Sequence, residues 1–122
     1  MPVVIADKTS YSGTVTPSDL NVETTVVEMG PENDDYIVEG YIDVSQLSEG
    51  DAITVCEYIA VDGQNYRKFI CVDISGPVEE PIVRFHAKTL LSSMKYKVTI
   101  TQKSGTIRSF PYGFIKEVMG TT

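Results

Sequence analysis

The sequence has 122 residues, with 17 Asp and Glu against 10 Lys and Arg for a formal charge of −7, and 42% apolar side chains. That length and apolar fraction fit one domain with a single core, residues 1–122, and exclude a disordered chain. The negative balance argues against nucleic acid as a partner, because phosphate affinity needs clustered Lys and Arg.

The chain opens on Met-Pro-Val-Val-Ile-Ala-Asp-Lys. No basic stretch precedes its short apolar run, so it reads as neither a signal peptide nor a membrane anchor, and synthesis in a cytoplasm is expected. Val3, Val4 and Ile5 make residues 1–14 either a first strand or an extended N-terminal arm that adds to a neighbour's sheet edge. Beyond residue 20 the apolar period is two, which is the mark of strands. Residues 21–29, 36–44, 53–61, 66–74, 82–86, 94–102 and 106–110, the last continuing at 112–118, all read this way. Gly, Pro, Asn and Asp cluster between them as turns. About seven or eight short strands at this spacing predict a sandwich or a barrel. A single short helical turn is expected near 87–93.

Two hairpins stand out, 53–61 returning through 66–74 and 94–102 returning through 106–110. In the first, a four-residue loop at 62–65 sets Cys56 opposite Cys71, whereas a two-residue Asp62-Gly63 turn sets Cys56 opposite Phe69. Only the first register allows a disulfide. With no secretion signal, two reduced, half-buried thiols are the expected state.

Leu90 lies six residues before Tyr96, and alternating apolar residues follow it into a Gly-containing turn. This segment resembles the tyrosine corner of Ig-like and fibronectin type III sandwiches. The resemblance implies that the Tyr96 ring sits in the core with its hydroxyl bonded back to the upstream loop, Leu90 and Tyr96 being structural residues. The family's core Trp is missing. The expected fold is an all-β, antiparallel Ig-like or Greek-key sandwich of seven or eight strands. A jelly roll is the competing topology, and the run 106–118 broken by Pro111 suits its bending final strand.

Charge is unevenly placed. Residues 1–66 carry 13 acidic side chains and only Lys8 as a base, a net of −12, while residues 67–122 have a net of +5. Either the halves neutralise each other within one fold, or the subunit is polar and meets its copies head to tail.

Catalytic patterns are sparse. Any nucleophile–histidine pair must use His86, the only histidine, and its place at a strand end suits an edge side chain better than a base. No Gly-rich phosphate loop is present, two Cys and one His fall short of a zinc site, and the acidic turn 32–35 lacks calcium-loop spacing. No catalytic residue, cofactor or metal ligand is therefore assigned. Phe110, Tyr112 and Phe114, in a stretch broken by Pro111 and Gly113, are candidate contact residues together with Val3, Val4 and Ile5.

An acidic sandwich with these features is similar to the small β-sandwich proteins that phages and related viruses use as capsid decoration proteins and tail or fibre subunits. That resemblance implies a non-enzymatic structural protein of the virion, assembled in the host cytoplasm. Its partners would be copies of itself or a capsid or tail protein, with no nucleic acid and no membrane. The alternative is an Ig-like module that binds carbohydrate or protein through loop aromatics such as Tyr112 and Phe114.

Overall fold

The computed structural model describes residues 2–121; Met1, the first residue of the expected arm, lies outside them. The chain forms strands β1 (Val3–Val15), β2 (Thr24–Met29), β3 (Tyr36–Asp43), β4 (Ala52–Ala60), β5 (Arg67–Ser75), β6 (Ile82–Leu90), β7 (Lys95–Ser104) and β8 (Phe110–Thr121). They build two four-stranded antiparallel sheets, ordered β1-β8-β3-β6 and β2-β7-β4-β5.

The all-β, eight-stranded antiparallel sandwich is the one that the two-residue period predicts. Its strand order is that of the jelly roll, the competing topology, and not of the Ig-like sandwich, whose four-stranded sheet faces a sheet of three. Only the β4–β5 link stays within one sheet; every other connection crosses to the opposite one.

That winding corrects two expectations. Residues 94–102 and 106–110 do not form a hairpin, because β7 and β8 lie in different sheets. The stretch between them is a crossover fixed by polar side chains. Gln102, fully buried, donates to the carbonyls of Ser104 and Thr106 and accepts from the Arg108 amide. Asp51, also buried, accepts from the Thr106 amide at 3.0 Å and the Arg108 guanidinium at 2.7 Å. Gly105 turns here at φ 88°, and a Cβ on it would strike Asp51. Nor is 87–93 helical: residues 87–90 finish β6, and a turn follows in which the Met94 amide donates to the Leu91 carbonyl at 2.9 Å.

Alternate residues of each strand fill the core. β3 contributes Tyr36, Val38 and Ile42, and β8 contributes Phe110, Phe114 and Val118. From the facing sheet come Ile53 and Val55 of β4 and Tyr96, Val98 and Ile100 of β7. Gly40 faces inward between them because the Phe114 ring lies where its Cβ would be.

Candidate functional site

β5 and β6 are the last strands of their sheets on the same side of the sandwich, and the sheets do not close on each other there. Between them runs a groove of about 410 Å³ lined by Val55, Phe69, Ile70, Val72, Val83 and Phe85, with Glu57 and Lys88 beside them.

Two bulges shape it. In β5, Ile70 pairs with Glu57 while Lys68 pairs with Tyr58, so Phe69 is an extra residue without a partner. In β6, Lys88 pairs with Val38 while Phe85 pairs with Gly40, which leaves both His86 and Ala87 opposite Glu39. An unbroken period from Phe85 would turn Lys88 outward. The extra residue turns it in, the re-aiming that a bulge provides.

Lys88 Nζ thereby reaches Glu57 Oε1 at 3.1 Å and lies 5.2 Å from the Tyr96 ring centroid and 5.9 Å from that of Phe69. The Tyr96 hydroxyl donates to the same Glu57 oxygen at 2.9 Å. Burial, and then the Glu57 carboxylate, push the Tyr96 phenol well above its ordinary range, so it stays a donor. Glu57 and Lys88 thus place a mutually satisfied pair of charges in the lining of the apolar groove.

β5 itself is unusually bare. Arg67 through Asp73 are all exposed, including the large apolar side chains of Phe69 (51%), Ile70 (50%) and Val72 (45%). On the outer face, Cys56 and Cys71 oppose each other across β4 and β5 and are joined as a disulfide, where free thiols were expected. The four-residue loop expected at 62–65 is not what sets this register: next to the turn Ile59 pairs with Arg67 and Tyr58 with Lys68, and the Phe69 bulge then shifts the ladder by one residue to bring Cys56 opposite Cys71. Asp62 holds the turn by accepting from the amides of Gln64 and Asn65.

The residues singled out in the sequence are dispersed. Phe110 is fully buried and Phe114 is 3% exposed, so both are corrected from contact residues to core. Their ladder positions in β8 continue straight through Pro111, opposite Thr14 and Val15 of β1 and Tyr11 further along. Tyr112 is half-buried, its ring centroid 6.4 Å from that of Phe114.

Val3, Val4 and Ile5 are exposed at the far end of β1, where they pair with Thr121, Gly120 and Met119. Leu90 and Tyr96 are both buried, but the Tyr96 hydroxyl meets Glu57 and not the upstream loop. A tyrosine bond to a loop backbone is made instead by Tyr36, whose hydroxyl donates to the Met94 carbonyl at 2.6 Å and whose phenol burial pushes up to about 12.

His86 is exposed on β6. In the acidic turn Glu32 pairs with Lys116, and Asp35 accepts from the Ser92 amide. Among the described residues no three His, Cys, Asp or Glu side chains are grouped as a metal site would require.

No protein-family model matches the sequence, and no curated protein matches it. Among solved structures, the chain is similar to the infectious bursal disease virus VP2 subviral particle at 11% identity and a TM-score of 0.49, covering 96% of this chain and 32% of that one. It is also similar to the Gx strain of that virus, at 11% identity, a TM-score of 0.47 and the same coverage. The Gt strain follows at 12% identity and a TM-score of 0.41, over 99% of this chain and 38% of that one. The chain thus spans about a third of the chains that it matches.

Proposed function

We propose that this chain is a non-enzymatic structural protein of a virion, a capsid decoration or tail subunit, working through protein–protein contacts with its own copies or with a capsid or tail protein. The observation that carries this reading is the open β5–β6 side: a strand whose apolar side chains are half-exposed, beside an apolar groove. Bare apolar edges of this kind are aggregation hazards in a solitary protein and are covered in an assembled one.

Two features lend support. The jelly roll is widely used for capsid domains, although that is a likeness of fold and not of site. The Cys56–Cys71 bond suits a protein that works outside the reducing cytosol, as virion surfaces do. Assembly in the host cytoplasm would then precede oxidation.

Particles purified from the source that makes this chain provide the test. Peptide mapping should find it in many copies per particle after stringent washing. Recovery of the chain only from the soluble fraction overturns the reading.

A further inference from the structure

Cys56 and Cys71 are joined on the outer face of the β4–β5 pair, apart from the side chains that pack between the sheets. Cys71 is exposed on the last strand of its sheet. Cys56 is 6% exposed and borders a polar recess of about 210 Å³ with Thr54, Tyr58, Lys68 and Lys103. Glu23 lines the same recess, its carboxylate occupied by the Tyr58 and Thr99 hydroxyls. A disulfide on an open face at an edge strand is within reach of a thiolate from solution, as one sealed in a core is not.

The two ends of β5 are pinned. The Tyr66 hydroxyl, just before it, donates to Glu28 at 2.7 Å, and the Gly76 amide, just after it, donates to the Asp51 carbonyl at 2.9 Å. Between these anchors residues 67–73 are all exposed. Besides the β4 ladder they are held by the disulfide, by a 2.7 Å bond from the Thr54 hydroxyl to Asp73, and by the Lys88 ammonium 5.9 Å from the Phe69 ring. A segment that buries so little apolar surface opens at low cost. The same stretch supplies Phe69, Ile70 and Val72 to one wall of the groove.

We propose that the Cys56–Cys71 bond is a thiol-exchange site, entered at Cys71 by a small thiolate, and that its redox state sets whether the β5 wall of the groove is held or loose. The attacking sulfur forms a bond to Cys71 Sγ. The bond between the two cysteines breaks, and its electron pair leaves on Cys56 as a thiolate facing the recess. A second thiolate displaces the first from Cys71. Two molecules of the small thiol are thereby oxidised to their disulfide, the cystine is reduced to two thiols, and the protons that the small thiols give up end on Cys56 and Cys71. Exchange depends only on the fold; its meaning as a switch on partner contact rests on the assembly reading above.

The oxidised full chain, incubated with reduced glutathione without denaturant and sampled by acid quenching and peptide mapping, tests this. Reduction proceeds at a rate proportional to glutathione concentration, and the mixed disulfide is found on Cys71. Gly40→Ala, which weakens the whole fold from the other sheet, changes that rate less than about twofold, because the native chain is what reacts. A rate at least about fivefold higher in Gly40→Ala means that the bond opens only through global unfolding and overturns the inference. A mixed disulfide on Cys56 does the same. In the reduced chain, amide exchange across residues 68–73 speeds up at least about tenfold while β7 and β8 keep their protection. Equal protection of β5 in both states, or a loss spread over every strand, overturns the switch.

Purified particles separate the two readings. Release of the chain by the same thiol treatment supports both. A chain that exchanges and loosens in solution but is never found in particles keeps the switch and removes the assembly role. A particle-bound chain whose β5 is as protected reduced as oxidised does the reverse.

Discussion

Glu57 and Lys88 show how a single misplaced period changes a protein's interior. Their side chains are 6% and 15% exposed, and each compensates the other's loss of water. Removing one partner of such a pair costs about 3–5 kcal/mol, mostly because the remaining charge stays buried. Lys88→Met should therefore lower stability by about 3 kcal/mol in urea denaturation, and Lys88→Met/Glu57→Gln should recover most of that loss. Additive losses in the double variant would contradict the pairing.

Acid acts on other carboxylates. Hydrogen bonds from Asn65, first its amide and then its side chain, and from the Gln64 amide lower the Asp62 carboxyl to about 2 from the usual 3.8. The Ser48 amide, with help from Arg108 and Thr106, lowers that of Asp51. A carboxylate depressed by folding adds stability above its unfolded value, and that contribution disappears as pH falls through its folded value. Urea midpoints should thus hold above about pH 5 and decline between about pH 4 and 2, more shallowly in Asp62→Asn. A midpoint unchanged down to pH 2 would count against these bonds.

At the scale of elements, the β4–β5 hairpin depends on the cross-link. β5 has only β4 beside it and buries little, so the Cys56–Cys71 bond, closing a loop with a sequence separation of 15, holds an otherwise weakly attached edge. Chain-entropy arguments give about 3 kcal/mol for such a loop. Cys56→Ser/Cys71→Ser should lose about that much and expose β5 amides to exchange first; a variant as stable as the oxidised chain would contradict this. In the facing sheet, Gly40→Ala should cost about 1–3 kcal/mol by driving a methyl into the Phe114 ring, read from the thermal midpoint.

The strands themselves were legible because alternation survives wherever one face is buried, as in Tyr36, Val38 and Ile42. Cys56 opposite Cys71 was one of two registers that loop length offered, but the chain reaches it by another route, the Phe69 bulge, which the alternation of β5 does not announce. Strand order was not legible, since Thr106 to Phe110 shows the same turn chemistry whether the chain returns beside β7 or crosses to the other sheet. The bulge at His86 and Ala87 broke the period and imitated a helical turn, which concealed that Lys88 points inward. Phe110 and Phe114 misled for a related reason: Pro111 interrupts a ladder pattern in the sequence, yet β8 runs through it.

For the whole molecule, the split between an acidic first part and a basic second part is partly resolved inside the fold. All three ion pairs among the described residues, Glu57–Lys88, Asp51–Arg108 and Glu32–Lys116, join residues 1–66 to residues 67–122. The winding of the jelly roll brings this about by placing β8 beside β1 and β3, and β7 between β2 and β4. On the surface the two parts also meet: Glu23 lines one outer-face pocket with Lys68 and Lys103 and accepts from Tyr58 and Thr99, and Glu28 accepts from Tyr66.

The central claim is that the β5–β6 side is where the chain meets its partner. Amide hydrogen exchange, compared between dilute and concentrated low-salt solutions of the oxidised chain, addresses it most directly. The account predicts that protection rises on association in Arg67–Ser75 and Ile82–Leu90. Association that leaves β5 and β6 as exchangeable as in the monomer, while other strands become protected, would contradict it.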